Sequence, residues 1–184
     1  MHGVTIYNPS KDPKGPNTDG INPSSCRNVR ISDCFISVGD DCITIKSGRD
    51  ADGRKYGKAC ENITITNCVM LSGHGGVVIG SEMSGGVRRV TISNCVFDGI
   101  DSGIRLKSSR GRGGVVEELR VDNIVMKNIQ RNAFIFDLFY DKESKMEPVS
   151  ERTPVFRNIH LSNITGSDIK QIGYIKGIEE MPVQ

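Results

Sequence analysis

One five-residue pattern, apolar–polar–apolar–polar closed by Asn or Asp, returns along this chain and limits what it can fold into. It reads Val4-Thr5-Ile6-Tyr7-Asn8, Val29-Arg30-Ile31-Ser32-Asp33, Ile63-Thr64-Ile65-Thr66-Asn67, Val90-Thr91-Ile92-Ser93-Asn94, Leu119-Arg120-Val121-Asp122-Asn123 and Ile159-His160-Leu161-Ser162-Asn163. Alternation of period two in β-branched residues is a strand with one face buried. The copies recur at unequal intervals, as a constant unit with loops of varying length would. After each copy a second apolar strand begins, near Ile21, Ile43, Val77, Ile104, Phe134 and Tyr174. Two strands per unit, no helical periodicity between them, and Gly, Asn and Ser at the corners predict an all-β parallel β-helix of about six coils. No coil can bury its inner face alone, and stacking makes the core continuous. A pair of antiparallel sheets, the alternative, would not bring the same residue to the same point of every unit.

The six cysteines fit the coil reading better than a disulfide framework. Cys34, Cys68 and Cys95 each follow the Asp or Asn of the pattern, and Cys26 and Cys60 share a second register. Equivalent positions in stacked coils lie ~4.8 Å apart, so these are expected to be inward ladders of free thiols. The corner asparagines are expected to stack as an amide ladder. No Cys-x-x-Cys pair occurs, which argues against structural zinc. At 184 residues the chain suits a single domain, 1–184. Its net charge of +2 offers no global attraction for nucleic acid or an anionic membrane. No apolar run approaches the ~20 residues of a transmembrane helix, and the first residues do not read as a signal peptide.

The coils place the chemistry. Asp19 lies just before the second strand of the first unit, Asp40 and Asp41 before that of the next, and His74 before that of the third. Arg105 and Lys107 lie on the fourth, alternating with Ile104 and Leu106, which sends both cations outward. Acid, acid pair, imidazole and cations therefore form a column on one outer face, the form of a groove for an extended chain. Staggered carboxylates can stand ~6.5–9.5 Å apart, the spacing of an inverting glycosidase. Crowded negative charge should keep a proton on at least one of them, a general acid, while the rest activate water. His74 can tune the cluster. Arg105 and Lys107 suit a sugar that carries a carboxylate. Each motif alone has a plain reading: Asp-Asp and Asn-Thr-Asp-Gly as turns, Gly-His-Gly as a loop, Arg-x-Lys as a solvated strand face. Their shared register is what points to a site.

In this order and spacing, Asn17-Thr18-Asp19, Gly39-Asp40-Asp41, Gly73-His74-Gly75 and Arg105-Leu106-Lys107 resemble the polygalacturonase family of glycoside hydrolases, over essentially the whole chain. The resemblance implies a right-handed parallel β-helix that hydrolyses α-1,4 galacturonosyl bonds of pectin with inversion, without a metal or other cofactor. It implies Asp40 as general acid, Asp19 and Asp41 as the pair that activates water, and His74 as their support. It makes Asn17, Arg105, Lys107 and Tyr140 substrate-binding residues, with the galacturonate carboxylate held by the two cations and a sugar stacked on Tyr140. The expected partner is acidic polysaccharide or oligogalacturonate, with no nucleic acid or membrane.

Family members are about twice as long, with N-terminal coils and a cap that find no counterpart here. The chain is thus expected to be an internal segment with weakened activity, self-associating through uncapped ends. Family members are mostly secreted or periplasmic, and this sequence carries no export signal of its own. Two rivals remain at this stage. One is a non-catalytic pectin-binding or structural β-helix remnant. The other, weaker, is a pectate lyase-like β-eliminase, which would use calcium and a strong base.

Overall fold

The computed structural model describes residues 1–8, 17–141 and 145–184. Its strands are β1 (Thr5–Tyr7), β2 (Arg27–Ser32), β3 (Phe35–Ser37), β4 (Asp41–Ile45), β5 (Cys60–Thr66), β6 (Val69–Ser72), β7 (Gly75–Gly80), β8 (Val87–Asp98), β9 (Ser102–Lys107), β10 (Val115–Asp137) and β11 (Val155–Lys176). Every pairing between these strands is parallel. Three stacks result. The first runs β2, β5, β8, β10, β11; the second β1, β3, β6, β8, β10, β11; the third β4, β7, β9, β10, β11. β8, β10 and β11 are long because each continues around a corner from one face to the next.

The corner chemistry explains why the repeat folds this way. Asp33, Asn67, Asn94, Asn123 and Asn163, the closing residues of the pattern, all have φ between 50° and 57°. So do the residues that precede five of the copies: Asn28, Asn62, Arg89, Glu118 and Asn158. Each first-face strand is thus bracketed by two left-handed residues, a conformation that Asn and Asp tolerate better than other side chains. Side-chain amides link successive corners: Asn62 Nδ2 donates to Asn28 Oδ1 at 2.9 Å, Asn67 to Asp33 at 3.3 Å and Asn123 to Asn94 at 2.8 Å.

Inside, aliphatic ladders run through the coils. Ile31, Ile65, Ile92 and Val121 are in register, as are Ile45, Ile79, Leu106 and Phe136, and all are buried. Cys34, Cys68 and Cys95 are buried free thiols, and Cys26 and Cys60 are also free. Each of the first three donates its S–H to the carbonyl two residues before it, which satisfies the weak donor and keeps the sulfur on the core side. Burying a methylene stabilises by about 0.8 kcal/mol, so these ladders carry the stability of the coil.

The solenoid has about four turns, and the expected count of six is not confirmed. Two register expectations are corrected. Val4–Asn8 does not belong with the other copies: Thr5 pairs with Phe35, on the second face, whereas Val29 pairs with Ile63 on the first. Alternation is the same on every face, so the pattern alone could not say which face a strand joins. In the second strands the last register is off by one: Phe134 stands opposite Gly173, and Tyr174 opposite Ile135. One short helix, α1 (Asp50–Tyr56), interrupts the loop after β4 and ends on Gly57 in the left-handed region at φ 55°.

Candidate active site

The third stack puts residues far apart in sequence into one cavity of about 310 Å³, lined by Asn17, Asp19, Asp40, Asp41, Lys46, His74, Ser81, Glu82, Arg105, Lys107 and Tyr140. All eight of the residues singled out in the sequence are there. Register does the gathering: Asp41 pairs with Gly75 and Gly75 with Ser102, while Gly80 pairs with Lys107. The glycines around His74 are required by close approach. A Cβ on Gly75 would lie 2.3 Å from Val78 Cγ2 and 3.1 Å from Asp41 Oδ1, and one on Gly73 would meet the Asp40 carbonyl at 2.5 Å. Only glycine lets this turn close over the acids.

One oxygen from each of Asp19, Asp40 and Asp41 lies within 4.8 Å of the others. Each carboxylate has its own partners. Asp19 Oδ2 accepts from Asn22 Nδ2 at 2.8 Å and from Lys46 Nζ at 3.3 Å. Asp40 Oδ2 accepts from the Asn17 backbone N–H at 3.1 Å. Its Oδ1 accepts from the Asp41 N–H at 2.9 Å and lies 3.2 Å from His74 Nδ1. Asp41 Oδ2 accepts from Lys107 Nζ at 2.9 Å, while its Oδ1 is buried with no hydrogen-bond partner among the described residues.

These surroundings separate the two neighbours. Burial raises the Asp41 carboxyl, and this outweighs the opposing charge and hydrogen bond of Lys107; Asp40's charge adds to the rise. For Asp40 burial also raises the carboxyl, but the His74 imidazole, the Asn17 and Asp41 N–H groups and Lys107 together hold it below the ordinary aspartate value. In the unliganded site the proton therefore resides more readily on Asp41 than on Asp40.

Lys107 is not the solvated cation that strand alternation suggested. It is 9% exposed and paired with an Asp41 that is 2% exposed. Tyr140 faces both cations, its ring centroid 5.6 Å from Arg105 Cζ and 5.3 Å from Lys107 Nζ. Lys46 was missed in the sequence. It bridges Asp19 and Glu82 at 3.3 and 3.6 Å. Burial lowers its ammonium, yet the Glu82 and Asp19 charges more than reverse this and raise it. The signal was available: Ile45 pairs with Ile79 and Ile79 with Leu106, which puts Lys46 in the register of Lys107. The three carboxylates could also hold a cation. Lys46 and Lys107 already place two ammonium groups against them.

The third stack thus carries an acid cluster, an imidazole and paired cations together in one groove of a parallel solenoid. The family described as glycosyl hydrolases family 28 matches residues 1–181, and the chain belongs to it. It is 36% identical over 183 residues to a probable polygalacturonase of Vitis vinifera, covering 99% of this chain and 36% of that protein. It is 35% identical to an endo-polygalacturonase of Pectobacterium carotovorum, over 95% of this chain and 39% of that protein. Among solved structures it resembles a hyperthermoactive exopolygalacturonase from Thermotoga maritima, with TM-score 0.82, 38% identity, and 90% of this chain and 35% of that one covered. The chain spans little more than a third of the length of these relatives.

Proposed function

We propose that this chain hydrolyses α-1,4 galacturonosyl bonds of polygalacturonate, with Asp40 protonating the leaving oxygen and Asp19 and Asp41 activating the attacking water. The observation that supports this most is the meeting of three carboxylates within 4.8 Å beside Arg105 and Lys107. The acids supply proton donor and base; Arg105 and Lys107 select a sugar bearing a carboxylate. Tyr140 presents a half-exposed ring for a sugar face to pack on.

Asp40's role requires its proton to be stabilised when substrate binds. A uronate carboxylate brought alongside and the loss of water both act in that direction. His74, at 3.2 Å, is placed to deliver that proton. With Lys107 bound to it, Asp41 is held in place for water that also contacts Asp19.

Inversion is part of this reading; a retaining mechanism would instead use one carboxylate as nucleophile. Proton NMR of the first-formed product separates the two: inversion gives the β-anomer first, and an initial α-anomer would establish retention. Digestion of polygalacturonate tests the reaction itself. Hydrolysis releases reducing ends without new ultraviolet absorbance and persists in chelator. Absorbance from an unsaturated sugar would mean elimination, and binding with no release would make the chain a pectin-holding coil.

A further inference from the structure

Each carboxylate of the acid cluster has a nitrogen partner, and the three partners come from three successive strands of the third stack or the turns before them. Lys107 serves Asp41, His74 serves Asp40 and Lys46 serves Asp19. In the proposed hydrolysis Lys107 also meets the sugar carboxylate, and His74 delivers a proton to Asp40. Lys46 and its second neighbour, Glu82, have no part in it so far.

The Lys46 ammonium stands between two carboxylates, 3.3 Å from Asp19 Oδ2 and 3.6 Å from Glu82 Oε2, and its side chain is 27% exposed. Backbone bonds fix the root of that side chain against both neighbours. The Lys46 N–H donates to the Pro23 carbonyl at 2.9 Å, and the Ser25 N–H donates to the Lys46 carbonyl at 2.9 Å. These pin Lys46 to the segment that follows Asp19. On the other side the Ser47 N–H donates to the Glu82 carbonyl at 2.8 Å. On Asp19 itself, Lys46 and Asn22 both donate to Oδ2, and Oδ1 accepts no hydrogen bond among the described residues. One oxygen is held and the other is left for a water. Among the described residues Lys46 is the one cation paired with Asp19. Without it a single amide would orient this carboxylate against the charge of Asp40, whose oxygen lies within 4.8 Å.

We propose that Lys46 is a positioning residue for hydrolysis: it holds the Asp19 carboxylate so that Oδ1 meets the attacking water, and Glu82 keeps the lysine at that post. The inference rests on the hydrolytic reading of the cavity, in which Asp19 helps to activate water. It also gives a reason for Glu82, a fourth acid in a cavity meant for an acidic sugar. Facing substrate alone, that charge would repel it; paired with Lys46, it is compensated.

The test combines kinetics on polygalacturonate with crystal structures of the wild type and of Lys46→Met, Lys46→Arg, Glu82→Gln and the Lys46→Met/Glu82→Gln double variant. Lys46→Met should lower kcat about 10- to 100-fold, as for loss of a hydrogen bond to a charged group, and leave KM within about threefold. Lys46→Arg should recover part of kcat, since it keeps both charge and donors. Glu82→Gln should cost less, and nothing further once Lys46 is methionine. In the Lys46→Met structure the Asp19 carboxylate should be turned out of its wild-type plane. A raised KM with unchanged kcat would make Lys46 a substrate contact and overturn the assignment. An unmoved Asp19 would overturn it too, and additive losses in the double variant would remove the role of Glu82. The wild-type digest decides hydrolysis separately. Released reducing ends with an unchanged kcat for Lys46→Met would remove the positioning role and leave hydrolysis standing, whereas no release by the wild type would overturn both.

Discussion

Lys107→Met is the perturbation whose consequence the structure defines best. The ammonium and the Asp41 carboxylate are 2.9 Å apart and both buried, and Asp41 Oδ1 already lacks a partner among the described residues. Methionine keeps the stem and removes the charge. Breaking a buried ion pair by deleting one member costs about 3–5 kcal/mol, because the remaining charge is stranded. Asp41 has an escape, since burial already raises its carboxyl and Lys107 is the chief influence lowering it. Without Lys107 the folded protein will take up a proton there that the unfolded chain releases. An acid whose folded pKa lies above its unfolded value makes stability fall as pH rises between the two.

The variant's deficit should therefore be largest at high pH, about 3 kcal/mol or more. It should shrink on acidification at up to about 1.4 kcal/mol per pH unit while Asp41 takes up its proton. Urea unfolding of wild type and variant across pH 5 to 8 reads this directly. Asp41→Asn combined with Lys107→Met should recover much of the loss, as no charge is then stranded. A deficit below about 1 kcal/mol that does not change with pH would refute the stranded-carboxylate account.

Three further outcomes are expected. Tyr140→Ala should raise KM several-fold while Tyr140→Phe stays near wild type, because ring contact with the sugar and with Arg105 and Lys107 needs no hydroxyl; steady-state kinetics on oligogalacturonate decides it. Ile92→Ala removes a fully buried rung of the central ladder and should cost about 2–5 kcal/mol in urea unfolding. Arg112→Gln should raise KM more than it lowers kcat. The Arg112 guanidinium, 4% exposed, ties Asp50 and Asp141 at 3.2 Å each and Ser81 at 3.4 Å, and Asp141 adjoins Tyr140. Arg112→Lys should restore part of the KM.

Much of this was legible because each cue had a single physical cause. Asn or Asp at the end of five of the six copies marked a left-handed corner, and the cysteine that follows three of them marked a small inward side chain. The four motifs could be assembled because Asp19, Asp40 and His74 stand at like positions before successive strands. What stayed hidden depended on facts that alternation does not carry. Val4–Asn8 has the pattern but joins another face, a difference hidden when every copy is read as one register. The ion pair of Lys107 with Asp41 joins residues 66 apart, and only the register of β4, β7 and β9 brings them together. Burial then decided the proton: adjacent aspartates are alike in sequence, yet one is raised and the other lowered. Lys46 was overlooked because a single lysine after a strand usually reaches into solvent.

The most direct test of the account is turnover of polygalacturonate by wild type and Asp40→Asn, measured as reducing ends released, with oligogalacturonate affinity measured alongside. General-acid loss should lower the rate by about 10²–10⁴-fold and leave affinity within a few-fold of wild type. Turnover by Asp40→Asn equal to that of the wild type would contradict the assignment of chemistry to this cluster.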